Sequence, residues 1–343
     1  MIPAPYLLYL GNSTDPLAIK TSRGVAMFRG EDCVGEFRHD ACPLTLGLPR
    51  LDMEEAVAAG AKTMVLGIAS PGGKLGADLV ADAAGALNAG LNVASGLHQR
   101  LRDVPFLATL AQERKLRLFD VRDAPSGLAV GKGYERLGNR LLTVGTDCSV
   151  GKMVTTIALT RALRARGIVA DFRATGQTGV LIAGEGVAVD AVVADFISGA
   201  IEQLVPARWD NGWDLIEGQG SLFHPSFAGV SLGLLHGAQP TALVLCDEPG
   251  RAHMRGIPGR AVPELAECLA ANLAAARLTS PGVRAVGICL NTSGMEPAAA
   301  RRLCDSTADR MGLPCTDPVA FGVDPIIEHL CPAPSRPSTI ASR

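Results

Sequence analysis

The stretch LLTVGTDCSVGKMVTTIALTRAL, Leu141 to Leu163, constrains this chain more than any other. An apolar run, a Gly-rich turn, a Gly-Lys pair and an amphipathic run follow one another, the order of strand, loop and helix that cradles phosphate. Gly145 and Gly151 let the backbone wrap so that successive N–H groups point into one concavity. The helix adds its positive end and Lys152 a point charge. The candidate phosphate-binding set is Gly145, Thr146, Asp147, Cys148, Ser149, Val150, Gly151 and Lys152. Two departures from G-x-x-x-x-G-K-[ST] matter. The standard first glycine falls on Thr146, with the glycine one place earlier, so the loop is longer by one residue. The hydroxyl that ordinarily ligates Mg²⁺ is replaced by Met153, and Thr155 and Thr156 face elsewhere along the helix. Anion binding is expected; nucleotide hydrolysis is not implied.

The remainder alternates between strand-like and helix-like segments, which implies parallel sheets with helices on their faces. At about 100–200 residues per domain, 343 residues predict two domains, with a seam near Gly131 to Asn139. The expected division is 1–135, 136–330 and a Pro/Ser-rich, disordered tail at 331–343. In the first domain, Tyr6 to Leu10 and Lys62 to Ile68 read as strands, Asp52 caps a helix, and Gly90 ends another. In the second, strands are expected at Arg140 to Val144, Ile168 to Phe172, Asp214 to Ile216, Ala242 to Cys246 and Ala285 to Leu290. Val189 to Leu204 reads as one helix that places Asp195 and Glu202 near one face.

Composition removes several classes. With 48% apolar residues and mean hydropathy +0.23 the chain is not disordered, and no apolar run reaches the ~18–20 residues that span a bilayer. The N-terminus has no basic residue before Lys20 and does not read as a signal peptide. Net charge is −2 and the basic residues are scattered, so no nucleic-acid partner is expected. Nine cysteines without a C-x-x-C pair suit a reducing cytoplasm and no zinc site. The chain is expected to act there on a small molecule, as a homo-oligomer.

Candidate site residues collect after strands. Thr175, Gly176, Gln177 and Thr178 follow the second strand of the phosphate-loop domain, with Arg173 just upstream as a carboxylate clamp or a solvated cation. Glu217, Gln219 and His224 put a carboxylate, an amide and an imidazole on one loop, where a general base and oxyanion donors are at home. Glu217 and His224 are the catalytic candidates, with backbone N–H groups of the Gly218 to Gly220 turn as oxyanion donors. Asp247 to Arg255 is polar enough for a lid, with Arg251 a second clamp, and Asn291 stands where a nucleotide base is read. Cys148 lies near a helix N-terminus, but no poised histidine is visible in sequence, so a packing role is expected. Gly96-Leu97-His98, Asp120-Val121-Arg122 and the weak Ser70-Pro71-Gly72-Gly73 signal read as structural. No dinucleotide fingerprint appears.

The G-T-D-x-x-V-G-K loop and the run Asp214 to Gly220 resemble dethiobiotin synthetase, whose matching glutamate ligates Mg²⁺. That resemblance makes Glu217 the metal candidate if the reaction needs Mg²⁺. A closer resemblance covers nearly the whole chain: ATGQTGVLIAGEGVAVDAVVADF, EGQGSLFHPSF and VGTDCSVGKM look like a bacterial and archaeal family once labelled only a domain of unknown function. The resemblance implies an α/β chain in which a Rossmann-like domain precedes a P-loop domain. Some members are described as D-glutamate N-acetyltransferases that use acetyl-CoA. The implied activity is acetylation of a small acidic amino acid, with acetyl-CoA as co-substrate. A dethiobiotin-synthetase-type ligase or kinase using ATP and Mg²⁺ is the alternative, and a non-enzymatic nucleotide-binding switch a third.

Overall fold

The computed structural model describes residues 2–69 and 73–331, so Ser70–Gly72 and 332–343 of the expected tail lie outside the described residues. The chain divides into two compact units, one of 1–127 with 174–192 and one of 128–173 with 193–343.

The first unit is built on a five-stranded parallel sheet of order β2-β1-β3-β4-β5. Its strands are β1 (Tyr6–Gly11), β2 (Cys33–Arg38), β3 (Thr63–Leu66), β4 (Asn92–Ser95) and β5 (Leu118–Asp120). β1 and β3 are buried along their whole length, which is why they read as continuous apolar runs and not as alternation. One face packs Leu7, Met64, Leu66, Leu87 and Leu107 with α2 (Met53–Ala58), α3 (Ala77–Ala89) and α4 (Pro105–Arg114). The other carries Tyr6, Leu8, Val25, Val65 and Leu181 beneath α1 (Lys20–Arg29) and α6 (Gln177–Ala183). Asp52 forms the expected cap as a full capping box with Glu55, and Gly90 closes α3 at φ +101°. α1 and β2 escaped the sequence reading. α1 begins without a side-chain cap and is polar on average, and β2 is a half-buried edge strand.

The second unit carries a six-stranded parallel sheet of order β11-β10-β9-β6-β8-β7. β6 (Asn139–Gly145) lies between β8 (Trp213–Ile216) and β9 (Ala242–Asp247), with β7 (Ala170–Arg173) at one edge and β10 (Arg284–Leu290) and β11 (Cys315–Thr316) toward the other. The main layer helices are α5 (Lys152–Ala165), α7 (Ile197–Leu204), α8 (Ala228–Ala238), α9 (Leu265–Arg277), α10 (Pro297–Met311) and α11 (Asp324–Leu330). Leu141, Leu159, Leu163, Leu215, Val244, Val286 and Ile326 form one core cluster.

Two expectations need correction. Segment 174–192, inside the range expected for the second domain, packs with the first unit. For the same reason Val189 to Leu204 is not one helix: short 3₁₀ turns at Val189–Ala191 and Ala194–Phe196 precede α7. The β-branched Val192 and Val193 between them are extended, where their stiff side chains sit best. Asp195 is consequently exposed on a turn, while the Glu202 carboxylate on α7 accepts from the N–H groups of Lys132 and Gly133. No helix among the described residues is long and apolar enough to cross a membrane.

Candidate phosphate-loop site

Because the second sheet is parallel, β8, β6 and β9 end side by side, and each delivers one part of the site at its carboxyl end. β6 runs into the loop 146–151, Glu217 follows β8, and Asp247 ends β9. Thr146 stays in register with β9 through its N–H to Cys246 O (3.1 Å), and its hydroxyl donates to Asp247. Burial pushes the Asp247 carboxyl up, and the Thr146 hydrogen bond opposes the shift. Gly151 caps α5 at φ +96°, a conformation a side chain strongly disfavours, and Ser149 is held at φ +57°. Together they turn the loop onto the N-terminus of a 14-residue helix.

Three cations surround that loop. Lys152 is buried, and its ammonium donates to Asp147 O at 2.7 Å; burial holds its pKa below the ordinary lysine value. Arg251 donates to Asp147 Oδ2 (2.7 Å), to Cys148 O (2.6 Å) and to Glu248. Arg255 donates from its backbone N–H to Asp147 Oδ2 (2.8 Å) and from its guanidinium to Ser149 Oγ (2.7 Å). Burial works against the Arg251 charge, but the paired carboxylates of Asp147 and Glu248 more than offset it. The segment after β9 thus fastens the phosphate loop from outside. Sequence reading put Arg251 and Arg255 in a polar lid segment and gave only Arg251 a clamping role; the charged run DEPGRAHMRG after an apolar strand was the signal.

Glu217 is buried, with its N–H on Arg173 O (3.0 Å), which fixes its backbone to β7. Gly218 is expected to give an oxyanion donor, yet its N–H is spent on Thr143 Oγ1 at 2.9 Å. Gln219 O accepts from Ser231 (2.6 Å), and Ser221 Oγ donates to Thr146 O (2.9 Å), tying this turn to the loop. His224 is buried, not on a free-swinging loop: Ser226 N–H donates to Nδ1 (3.2 Å), and Nε2 lies 3.0 Å from Arg255 O. With a backbone N–H at Nδ1 and a carbonyl oxygen at Nε2, both ring nitrogens are engaged within the protein.

Asp147, Cys148 and His224 bring a carboxylate oxygen, a thiol and a ring nitrogen within 4.8 Å of one another. The histidine that sequence could not place beside Cys148 is therefore His224. These groups do not fit a resident metal ion. Asp147 Oδ1 accepts from Cys148 N–H and Oδ2 from two arginines, and the His224 nitrogens are committed as above. For Mg²⁺, Met153 offers no oxygen after Lys152, and Glu217, buried after β8, is the remaining candidate ligand if the reaction needs the ion.

The other candidates separate. Arg173 donates to the fully buried Asp214 (2.7 Å), which also pairs with Arg208 (3.1 Å). Arg173 is thus an internal counter-ion between β7 and β8. Asn291, at the end of β10, reaches Glu248 at 3.5 Å. Thr175, Gly176, Gln177 and Thr178 belong to the first unit. There Gly176 caps α6, Thr175 O accepts from Val189 N–H, and Thr178 Oγ1 bonds Thr21 Oγ1 at 2.9 Å.

Two family models match the chain: "Domain of unknown function (DUF1611_C) P-loop domain" over residues 127–327 and "Domain of unknown function (DUF1611_N) Rossmann-like domain" over residues 31–124. A protein of Pseudoalteromonas named D-glutamate N-acetyltransferase is 48% identical over 330 residues, 96% of this chain and 99% of the relative. A protein of Tritonibacter scottomollicae with the same name is 46% identical over the same shares. The crystal structure of a DUF1611 family protein from Anabaena variabilis superimposes with a TM-score of 0.88 at 34% identity, covering 96% of this chain and 99% of that one.

Proposed function

The chain belongs to the DUF1611 family, and on that basis we propose that it is a D-glutamate N-acetyltransferase drawing its acetyl group from acetyl-CoA. The observation that carries the reading is the near-full-length identity to two proteins of that name. The phosphate loop supports it chemically. CoA presents a pyrophosphate and a 3′-phosphate, and residues Gly145 to Lys152 supply a helix N-terminus and a buried ammonium beside Arg251 and Arg255. Neither Met153 nor Asp147 offers the oxygen that a Mg²⁺-bound triphosphate would want, which weighs against the ligase or kinase alternative.

The substrate ammonium must first lose a proton; the resulting amine forms the C–N bond as the acetyl C–S bond breaks, and CoA leaves as a thiolate that takes up a proton. Glu217 is our choice of acceptor for the ammonium proton, because its backbone is fixed at the end of a central strand. His224, held at both nitrogens, serves to orient the Arg255 segment. Gln219 after β8 and Asn291 after β10 follow strand ends on the same carboxyl edge of the sheet and are our further donor candidates. The nine cysteines remain thiols, which supports a cytoplasmic setting, and we expect a homo-oligomer. The test is steady-state acetyl transfer to D-glutamate by Glu217→Gln and His224→Asn. Glu217→Gln should lower kcat by about 10²–10⁴, the range for a general base, and His224→Asn by less. A normal rate for the glutamine variant with a dead asparagine variant would reverse the two roles.

A further inference from the structure

The phosphate loop stands at the carboxyl edge of the second sheet, and the opposite, amino edge exposes an apolar face. Trp209 is 85% exposed, and Leu137 and Val169 are 56% and 55% exposed. One such side chain alone is ordinary on a protein surface; a contiguous group marks a place where something docks. The three are neighbours because their strands are. β6, β8 and β7 lie side by side with Asn139, Trp213 and Ala170 in register, and Leu137, Trp209 and Val169 stand shortly before them in that order. Arg208 N–H donates to Leu137 O (3.0 Å) and Trp213 N–H to Val169 O (2.9 Å), which ties the turn bearing Trp209 to the strands on either side.

The chain itself returns to this edge. Cys331, the last described residue, packs on the core cluster that contains Trp213. The Trp213 indole, which can only donate, hydrogen-bonds its sulfur. Twelve residues follow, PAPSRPSTIASR, with prolines at 332, 334 and 337. Trp209 is four residues from Trp213, so at most about 14 Å of chain separates them. A polyproline helix rises about 3.1 Å per residue, so the five residues Pro332 to Arg336 reach about 15 Å, far enough to bring Pro334 to Pro337 alongside Trp209. A P-x-x-P run suits an aromatic surface because its backbone is already extended and little entropy is lost on docking. Trp209 offers it both a ring face and an N–H donor.

We propose that residues 332–343 dock on this face, with the Pro334 to Pro337 run lying on the Trp209 indole. The chain's own segment is favoured over a second copy because it is tethered beside the face, at an effective concentration of about millimolar whatever the protein concentration. The phosphate-loop site lies at the other end of the same strands, so the proposal stands apart from the acetyltransferase reading.

Trp209 and Trp213 are the two tryptophans of the sequence, and Trp213 is buried, so intrinsic fluorescence reads the face directly. In the full chain acrylamide should quench little of the emission. In a chain ending at Cys331, which keeps every described element, it should reach about half, one indole of two, with the emission shifted to longer wavelength. The full chain carrying Pro334→Gly and Pro337→Gly should be quenched more than the wild type, which tests the docking without truncation. In the Trp209→Phe background, truncation should leave quenching unchanged. Equal quenching of the full and truncated wild-type chains overturns the proposal. Protection of Trp209 that survives truncation and is lost on dilution also overturns it, assigning the face to a second copy. Failure of both chains to acetylate D-glutamate, with the quenching difference intact, would sink the acetyltransferase reading and leave the docked segment standing.

Discussion

Lys152→Met separates what the loop does for folding from what it does for binding. In the wild type Lys152 is 7% exposed, and its ammonium donates to Asp147 O at 2.7 Å. A charged donor of that kind is worth about 1.5–3 kcal/mol, whereas burying an ammonium costs several kcal/mol. The two oppose each other, so methionine, similar in length and uncharged, should change the stability of the ligand-free protein by less than about 1.5 kcal/mol. A bound phosphate changes the sum, because the ammonium then faces a dianion in a dry site. The variant should lose about 1.5–3 kcal/mol of acetyl-CoA affinity, roughly 10- to 150-fold in Kd. Urea unfolding monitored by circular dichroism gives the first quantity and isothermal titration calorimetry the second. The pH dependence adds a signature. Burial depresses the folded pKa of Lys152, so over the window between that value and the ordinary lysine value the unfolded chain holds a proton that the folded chain has released. Wild-type stability should therefore rise with pH across that window, and the methionine variant should lack this contribution. A variant several kcal/mol less stable that binds acetyl-CoA normally would refute the reasoning, making Lys152 a structural residue.

Asp214→Asn leaves Arg173 and Arg208 facing a neutral group in a fully buried position, and should cost about 3–5 kcal/mol, read from the urea midpoint. Gly218→Ala would put a Cβ 1.7 Å from Thr143 O and 3.0 Å from Lys152 Cδ. It should destabilise by at least about 1–3 kcal/mol, lowering Tm by about 2–4 °C per kcal/mol; an unchanged melting curve would show that the turn yields freely. Acetyl transfer should persist in EDTA, as expected where Met153 follows the phosphate-loop lysine; activity that needs Mg²⁺ and consumes ATP would restore the ligase alternative.

The phosphate loop was legible because its function is local. Gly145, Gly151 and Lys152 belong to eight consecutive residues that create the turn and the helix end by themselves. β1 and the buried stretches of β6, β9 and β10 were legible for a related reason, since strands covered on both faces read as near-continuous apolar runs. Sequence also marked the helix cap at Asp52 and the end of α3 at Gly90, features complete within a few residues. What it could not reveal was partnership. Arg173 looked like a substrate clamp until Asp214, on the neighbouring strand, claimed its guanidinium. Asp147 read as one residue of the phosphate loop, and the structure alone shows Arg251 and Arg255 on one of its oxygens and the Cys148 N–H on the other. Segment 174–192 read as part of the second domain because chain order is all a sequence shows, and only the packing of α6 against α1 assigns it to the first. A charge acquires its role from the charge it meets, and parallel sheets bring together residues that the chain keeps far apart.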